Sequence, residues 1–274
     1  MNKSKSKSKI FDCVTFFDEN LLVNARLEIL KDVVDYFIIC ESNYDYRGYK
    51  KKINFRLINK KFKNRVRHLI LKDKFPDPKN LWKSEELQRE MIFEGIKDAN
   101  SDDFIMYSDS DEIPNPEVLK KFKLNKKYAV LMMNMYVYKI NLLNKYESPW
   151  EGTRICRQKD LKSFSFLRKK ISAKNLRKNF FRRLLLEQDI ELIKNGGWHF
   201  NNLYKPETIS KKLKSFPHSE FSHKKFSSTK IIKEKIKMHM DLFNRGHIYK
   251  VTKIDNSFPI YIFNNLKLFK DYIE

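Results

Sequence analysis

The order of apolar segments predicts an α/β protein built on an open, mixed and mostly parallel sheet with helices on both faces. Three observations carry this. A strand–helix–strand–strand–helix–strand succession runs from Ile10 to Tyr107. Within it, Tyr36-Phe-Ile-Ile-Cys40 is a short unbroken apolar run, as expected of a strand buried on both faces. The fourth strand, Asp103-Phe-Ile-Met-Tyr107, leads straight into Ser108-Asp109-Ser110-Asp111-Glu112. In parallel sheets, ligand-binding groups gather where strands end at the carboxyl edge.

Taken in order, Ile10–Phe17 is apolar with β-branched and aromatic residues and reads as the first strand. Asp18 is placed to cap the following helix, in which Leu22, Ala25, Ile29 and Leu30 share a face at spacings of three and four. Val66–Leu71 reads as a weaker third strand. Leu87, Met91, Ile92 and Ile96 form a helical stripe between Trp82 and Ala99, before the acidic strand. Ala129–Ile140 is long, apolar and rich in Met and Tyr, and reads as a further strand of the same sheet. The strongly basic stretch Arg157–Arg183 sets eleven Lys and Arg against one acid, Asp160, and reads as loop and short helix. Gly196-Gly197-Trp198-His199-Phe200 reads as a turn into a short strand. Helices are expected at Pro206–Phe216 and Thr229–Asn244, the second with Ile232, Ile236, His239, Met240 and Phe243 on one face. No linker interrupts the pattern, so residues 10–274 read as one domain behind a disordered Lys/Ser tail at 1–9.

Composition narrows the function classes. With 41% hydrophobic and 14% aromatic residues the chain is not disordered. Only 6 Gly and 8 Pro are present, and no repeat marks a solenoid. Cys13, Cys40 and Cys156 are too few and too scattered for a disulfide framework or a cysteine zinc site, which fits a reducing compartment. Neither a secretory leader nor a run of about 18 apolar residues is found. A cytoplasmic protein is therefore expected, with peripheral contact at a membrane surface left open. The formal charge of +23 has two readings. It is an electrostatic footprint for an anionic partner, or it follows from a Lys-rich composition that fills solvated positions.

The acidic cluster carries the chemistry. Asp109 and Asp111, one residue apart at the end of a buried strand, can turn toward one point, where two carboxylates repel unless a cation lies between them. Mg²⁺ and Mn²⁺ prefer oxygen ligands and commonly bridge carboxylates to phosphates. A metal-held diphosphate suggests attack of a hydroxyl on a sugar's anomeric carbon, with the cation neutralising the leaving nucleoside diphosphate and a protein carboxylate taking the proton. The plainer alternative is a pair of solvated turn carboxylates. Two other function classes stay open. One is a basic nucleic-acid-binding protein using Arg157–Arg183 and its interleaved phenylalanines, although no recognised nucleic-acid motif accompanies them. The other is a metal-dependent phosphotransferase or nuclease, which would need further acids on other strands.

Four segments, in order, make the sequence resemble glycosyltransferase family 17, the β-1,4-mannosyl-glycoprotein 4-β-N-acetylglucosaminyltransferase family. They are Asp32-Val-Val-Asp35 leading into Phe37-Ile-Ile-Cys-Glu-Ser-Asn43, then Asp109-Ser-Asp-Glu-Ile-Pro114, Gly197-Trp-His199, and Leu242-Phe-Asn-Arg-Gly246. The resemblance covers roughly residues 10–265. It implies a GT-A-like (Rossmann-like) fold, a UDP-sugar donor, UDP-N-acetylglucosamine by analogy, a glycan or glycolipid acceptor, and inversion at the anomeric carbon. The characterised members' membrane anchor and stem have no counterpart here, and the basic stretch is an addition to their pattern.

On this reading Asp111 binds the divalent cation directly, and Asp109 binds it or the ribose. His199 is implied as a third ligand, its alternative being a satisfied histidine in a packed turn. Glu41, Ser42 and Asn43 follow an early strand, where base and ribose would lie; Glu41 alternatively serves as a loop carboxylate. Arg47 and Arg89 could reach the diphosphate through the guanidinium fork, although Arg89, on a helix, equally suits an ion pair. Trp198 could stack on a sugar or sit in the core. Glu151 and Glu220 are two candidates for the general base, each of which could instead be a solvated loop acid.

Overall fold

The computed structural model describes residues 7–75, 77, 80–177, 185–215 and 221–274. Its centre is a sheet whose main path runs β10-β7-β6-β8-β4-β1-β2-β3. Strands β1 (Ile10–Phe16), β2 (Tyr36–Ser42), β3 (Val66–Leu71) and β4 (Phe104–Asp109) are mutually parallel. They are joined by α1 (Asn20–Leu30) and by α2 (Leu81–Glu90). This is the α/β arrangement expected from the first half of the sequence. Beyond it the sheet turns mixed. β8 (Trp150–Arg157) runs antiparallel to both β4 and β6 (Tyr128–Val137), while β9 (Ile190–Asn201) is parallel to β6. The two-residue strands β7 (Leu142–Leu143) and β10 (Lys250–Val251) close the far edge. β5 (Glu112–Pro114) lies off the main path and pairs antiparallel with β9.

The apolar faces explain the layering. α1 buries Leu22, Ala25, Leu27 and Leu30 against one face of the sheet, in the same cluster as Phe37, Met106, Ile113 and Trp198. On the opposite face, Phe11, Cys13, Ile105 and Tyr107 pack against Ile92, Phe164 and Leu167. The odd and even residues of β1 and β4 divide between these layers, as the two-residue period of a strand requires.

Several local expectations are corrected. α1 begins at Asn20 with Glu19 at its N-cap and no side-chain cap, so Asp18 does not cap it. The Glu19 carboxylate instead accepts from the Phe17 and Asp18 amides at 2.8 and 2.9 Å. The stripe from Trp82 to Ala99 is not one helix: α2 stops at Glu90 and tightens into a 3₁₀ segment, Met91–Gly95. Leu87 is exposed, and α2 buries Ser84, Gln88 and Arg89. The reason is polar. Gln88 donates to the carbonyls of Phe16 (3.2 Å) and Cys40 (2.8 Å), satisfying the ends of β1 and β2.

Gly196–Phe200 is no turn into a short strand but the middle and end of the twelve-residue β9. The helix begun at Thr229 stops at Lys237, because His239 takes a left-handed conformation (φ 53°) and the chain turns back through a Met240–Ile248 bridge. The helix from Pro206 is described to Ser215; Phe216 lies outside the described residues. The same holds for residues 1–6 of the expected tail, but Lys9 is tied to the fold, its amide donating to Asp103 Oδ1 at 2.9 Å. Part of the basic stretch forms α4 (Phe164–Lys170), whose Phe164 and Leu167 are buried. Among the described residues no helix is long and apolar enough to cross a membrane.

Candidate active site

The acidic turn is positioned from three sides. β4, held between β1 and β8, delivers Asp109 to the carboxyl edge of the parallel strands. After Ser110 and Asp111 the chain re-enters the sheet as β5, whose pairing with β9 sets Glu112 opposite His199 and Ile113 opposite Trp198. This approach depends on Gly197: its φ is +147°, and a Cβ there would lie 2.1 Å from the Ile113 carbonyl oxygen. From beneath, the buried Arg26 of α1 forms two 2.6 Å bonds to Asp12 on β1 and reaches Ser108 Oγ at 2.9 Å and the Glu112 carbonyl. One guanidinium thus ties β1, the end of β4 and the start of β5 together.

Two charge clusters result. In the first, Arg168 of α4 grips Glu112 through both nitrogens (2.9 and 3.2 Å) and also contacts Asp109. Trp150 Nε1 adds a 2.8 Å bond to Glu112 Oε1. Burial would raise the Glu112 carboxyl, but Arg168, joined by His199, Arg154 and the Trp150 bond, holds the group below its ordinary range. Asp109, whose side chain is 38% exposed, goes the other way, up to about 6. Loss of water dominates there, opposed by Arg168 and reinforced by Glu112 and Asp111.

In the second cluster Asp111 Oδ1 lies 3.4 Å from His199 Nε2, and Lys212 Nζ stands 3.8 Å from Asp111 Oδ2. Burial raises Asp111, yet His199 and Lys212 overcome it and push the carboxyl far below its usual range. Reciprocally, burial lowers the His199 imidazole and Asp111 more than restores it, so the net shift is upward. The Trp150 ring lies 5.1 Å from the His199 ring. His199 Nδ1 is buried with no partner among the described residues, so the fold does not fully engage this imidazole.

The other sequence-predicted residues divide. Arg89 is brought to this edge. It bonds Tyr107 Oη at 3.0 Å and pairs with Glu85 at 3.1 Å, with Nη1 buried and unpartnered among the described residues. Burial lowers its guanidinium, but Tyr107 and Glu85 leave it above its ordinary value. Glu41 is fully buried and occupied by the chain itself, accepting from Lys51 (2.6 Å) and the amides of Asn54 (2.7 Å) and Phe55 (3.0 Å), with His68 at 3.3 Å. Its work is to pin the segment after β2. Ser42 Oγ accepts from the Tyr44 amide, and the Asn43 amide donates to the Leu71 carbonyl. Arg47 opens the same segment, its Nε buried and unpartnered among the described residues.

Trp198 is on the opposite face of the sheet from His199, as adjacent strand residues must be. Its indole nitrogen donates to the Ser257 carbonyl at 3.0 Å, so it does not stack over the acidic turn. Glu151 accepts from the Ala173 amide at 3.0 Å and faces Arg154 at 3.6 Å. Glu220 lies outside the described residues. Sequence reasoning missed Arg168, Arg26 and Lys212. For Arg168 a signal existed: three acids at Asp109, Asp111 and Glu112 on one buried edge demand compensating cations.

The Asp111–His199 pair fits a divalent ion. Two ligands bound to one ion at about 2.1 Å and at right angles are about 3 Å apart, close to the observed separation. Among the described residues no three His, Cys, Asp or Glu side chains converge, so the remaining positions would fall to water and substrate oxygens, the habit of Mg²⁺ and Mn²⁺.

Comparison with known proteins gives the family. A family model described as glycosyltransferase family 17 matches residues 1–247. The chain is 29% identical over 117 residues to β-1,4-mannosyl-glycoprotein 4-β-N-acetylglucosaminyltransferase of Rattus norvegicus, and equally so to that of Homo sapiens. Each match takes in 39% of this chain and 22% of the relative's length. Among solved structures, glucosyl-3-phosphoglycerate synthase from Mycobacterium tuberculosis aligns with a TM-score of 0.34 at 12% identity, over 68% of each chain.

Proposed function

The chain belongs to glycosyltransferase family 17, and on that premise we propose that it transfers a sugar, N-acetylglucosamine, from a UDP-sugar to a glycan hydroxyl with inversion, in a divalent-cation-dependent reaction. The observation that carries this reading is the Asp111–His199 pair, assembled at the carboxyl edge of β4 by the β5–β9 ladder. The shared name of the curated relatives supports the choice of sugar.

Asp111 and His199 would hold the cation, whose contribution when bound is to offset charge on the departing diphosphate. The chain's own residues supply the rest. Lys212 adds positive potential beside Asp111. Arg168 neutralises Glu112 and restrains Asp109, so the turn keeps its shape when the charge above it changes. Arg26 fixes the same turn from below. The acceptor is a glycan or glycolipid, and the basic surface attracts anionic donors at a distance.

The test is donor turnover. The chain is incubated with Mn²⁺ and a panel of nucleotide-sugars, and slow hydrolysis of each donor is followed. Asp111→Asn is expected to lower UDP-N-acetylglucosamine turnover at least about a hundredfold in a chain that still folds, as circular dichroism would show. Undiminished turnover in that variant, or in excess chelator, overturns the metal role. Preference for another donor overturns the sugar assignment alone.

A further inference from the structure

A cavity of about 660 Å³ lies away from the acidic turn. It opens on the other face of β6 and β9, between the α1 side of the sheet and the segment around Pro259. Its lining has an unusual chemistry: six of twenty residues are asparagines, and the half-buried Tyr261 supplies aromatic surface. We propose that this groove is a second carbohydrate-binding site, taking a neutral oligosaccharide, separate from the transfer centre.

Asn134 begins the argument. In β6 every other residue is buried or half-buried, whereas Asn134 is exposed in the middle of the strand. It lies directly beside Trp198 in the β6–β9 register. Its side chain interacts with the Tyr136 hydroxyl, yet a polar side chain left open on a central strand marks a gap in the covering layer. Asn195, Asn256 and Asn264 also line the groove, and their side-chain amides form no hydrogen bond among the described residues. Each amide offers a donor pair and an acceptor side by side, matching vicinal hydroxyls, which donate and accept at similar spacing. A phenol face complements the C–H surface of a pyranose ring. The charged groups on the rim include both signs, Glu28 and Glu117 against Lys31 and Lys120, so the groove does not select for anions despite the chain's +23 charge.

Placement gives the groove a use. Trp198 and His199 are consecutive residues of β9, one facing the groove and the other the acidic turn. A glycan held on one face is therefore tethered to a strand that also builds the transfer centre. This raises the local concentration of a long acceptor without contributing to the chemistry.

The test uses the whole chain with chitotriose, mannotriose and cellotriose as probes and a sulfated trisaccharide as the charged control, by saturation-transfer NMR and calorimetry. At least one neutral probe is expected to bind, and Asn134→Ala and Asn264→Ala are each expected to weaken it about three- to tenfold, the worth of one neutral hydrogen bond. Asn264 is exposed, so that variant keeps the fold even where Asn134→Ala does not. Asp111→Asn should leave the same binding intact, which separates this site from the proposed transfer centre. Absence of binding by all three neutral probes, preference for the sulfated control, or binding insensitive to both asparagine variants but lost in Asp111→Asn overturns the proposal.

Discussion

Arg26 holds Asp12 through two parallel 2.6 Å bonds, with both side chains about 1% exposed. The fold thus spends a buried ion pair directly under the acidic turn. Removing one partner leaves an uncompensated charge out of water, so Arg26→Met is expected to destabilise the chain by about 3–5 kcal/mol. Pairing it with Asp12→Leu should recover most of that loss, because the desolvation penalty leaves with the charges. Urea midpoints of the two single variants and the double variant check this. Turnover should stay low in the double variant, since Ser108 and the Glu112 carbonyl still lack their tether.

Gly197→Ala probes the ladder that joins the two halves of the site. The +147° backbone and the 2.1 Å approach to Ile113 leave no room for a methyl group. Strain of about 1–3 kcal/mol is expected from the backbone alone, before the overlap is counted. Because β5 would have to move away from β9, His199 would shift relative to Asp111. A displacement near 1 Å is enough for about a hundredfold loss of turnover. Measuring turnover in the folded fraction separates the two effects; equal specific activity would show that the ladder does not position the pair.

Arg168 offers a graded test. Arg168→Ala strips both Asp109 and Glu112 of their partner and should cost about 3–5 kcal/mol. Arg168→Lys keeps the charge but loses the two-pronged grip on Glu112, so an intermediate stability is expected. If Lys restored full stability, charge alone would account for the contact, and the fork would be irrelevant.

Glu41 sets an acid limit. Burial works to raise its carboxyl, but the bonds from His68, Lys51, Asn54 and Phe55 win, leaving it below its ordinary value of 4.5. A carboxyl lowered by folding contributes stability that is fully present above its unfolded value and is lost as pH falls through the folded one. Unfolding free energy should therefore decline as pH drops below about 4.5, and Glu41→Gln should flatten that decline while lowering stability at pH 7. Denaturant titrations from pH 7 to pH 3 report both.

The parallel half of the fold was legible because β1, β2 and β4 are short, largely apolar runs and α1 presents an apolar stripe. α2 misled because its buried side is polar: Gln88 and Arg89 serve strand ends and Tyr107, contacts that hydrophobic spacing does not encode. β9 misled because two adjacent glycines read as a turn, whereas Gly196 and Gly197 are there to admit Leu131 and Ile113. At the site, Asp109, Asp111 and His199 were visible as residue types at the right ends of segments. Their partners were not, since Arg26, Arg168 and Lys212 arrive from distant helices. For Trp198 the core position, one of the two alternatives its sequence context leaves open, is the one the structure shows.

The β5–β9 ladder also dictates when the acidic turn is completed. Asp111 sits on the early half of the chain, but its imidazole partner is delivered by one of the last strands of the sheet. Contacts so distant in sequence form late, because their loop-closure entropy must be met before they can be rewarded. During synthesis the parallel half can therefore fold around an acidic turn that is still a bare cluster of carboxylates. Only when the chain has emerged through Asn201 can Asp111 acquire its imidazole partner, so a partly made molecule is structured but its acidic turn is incomplete.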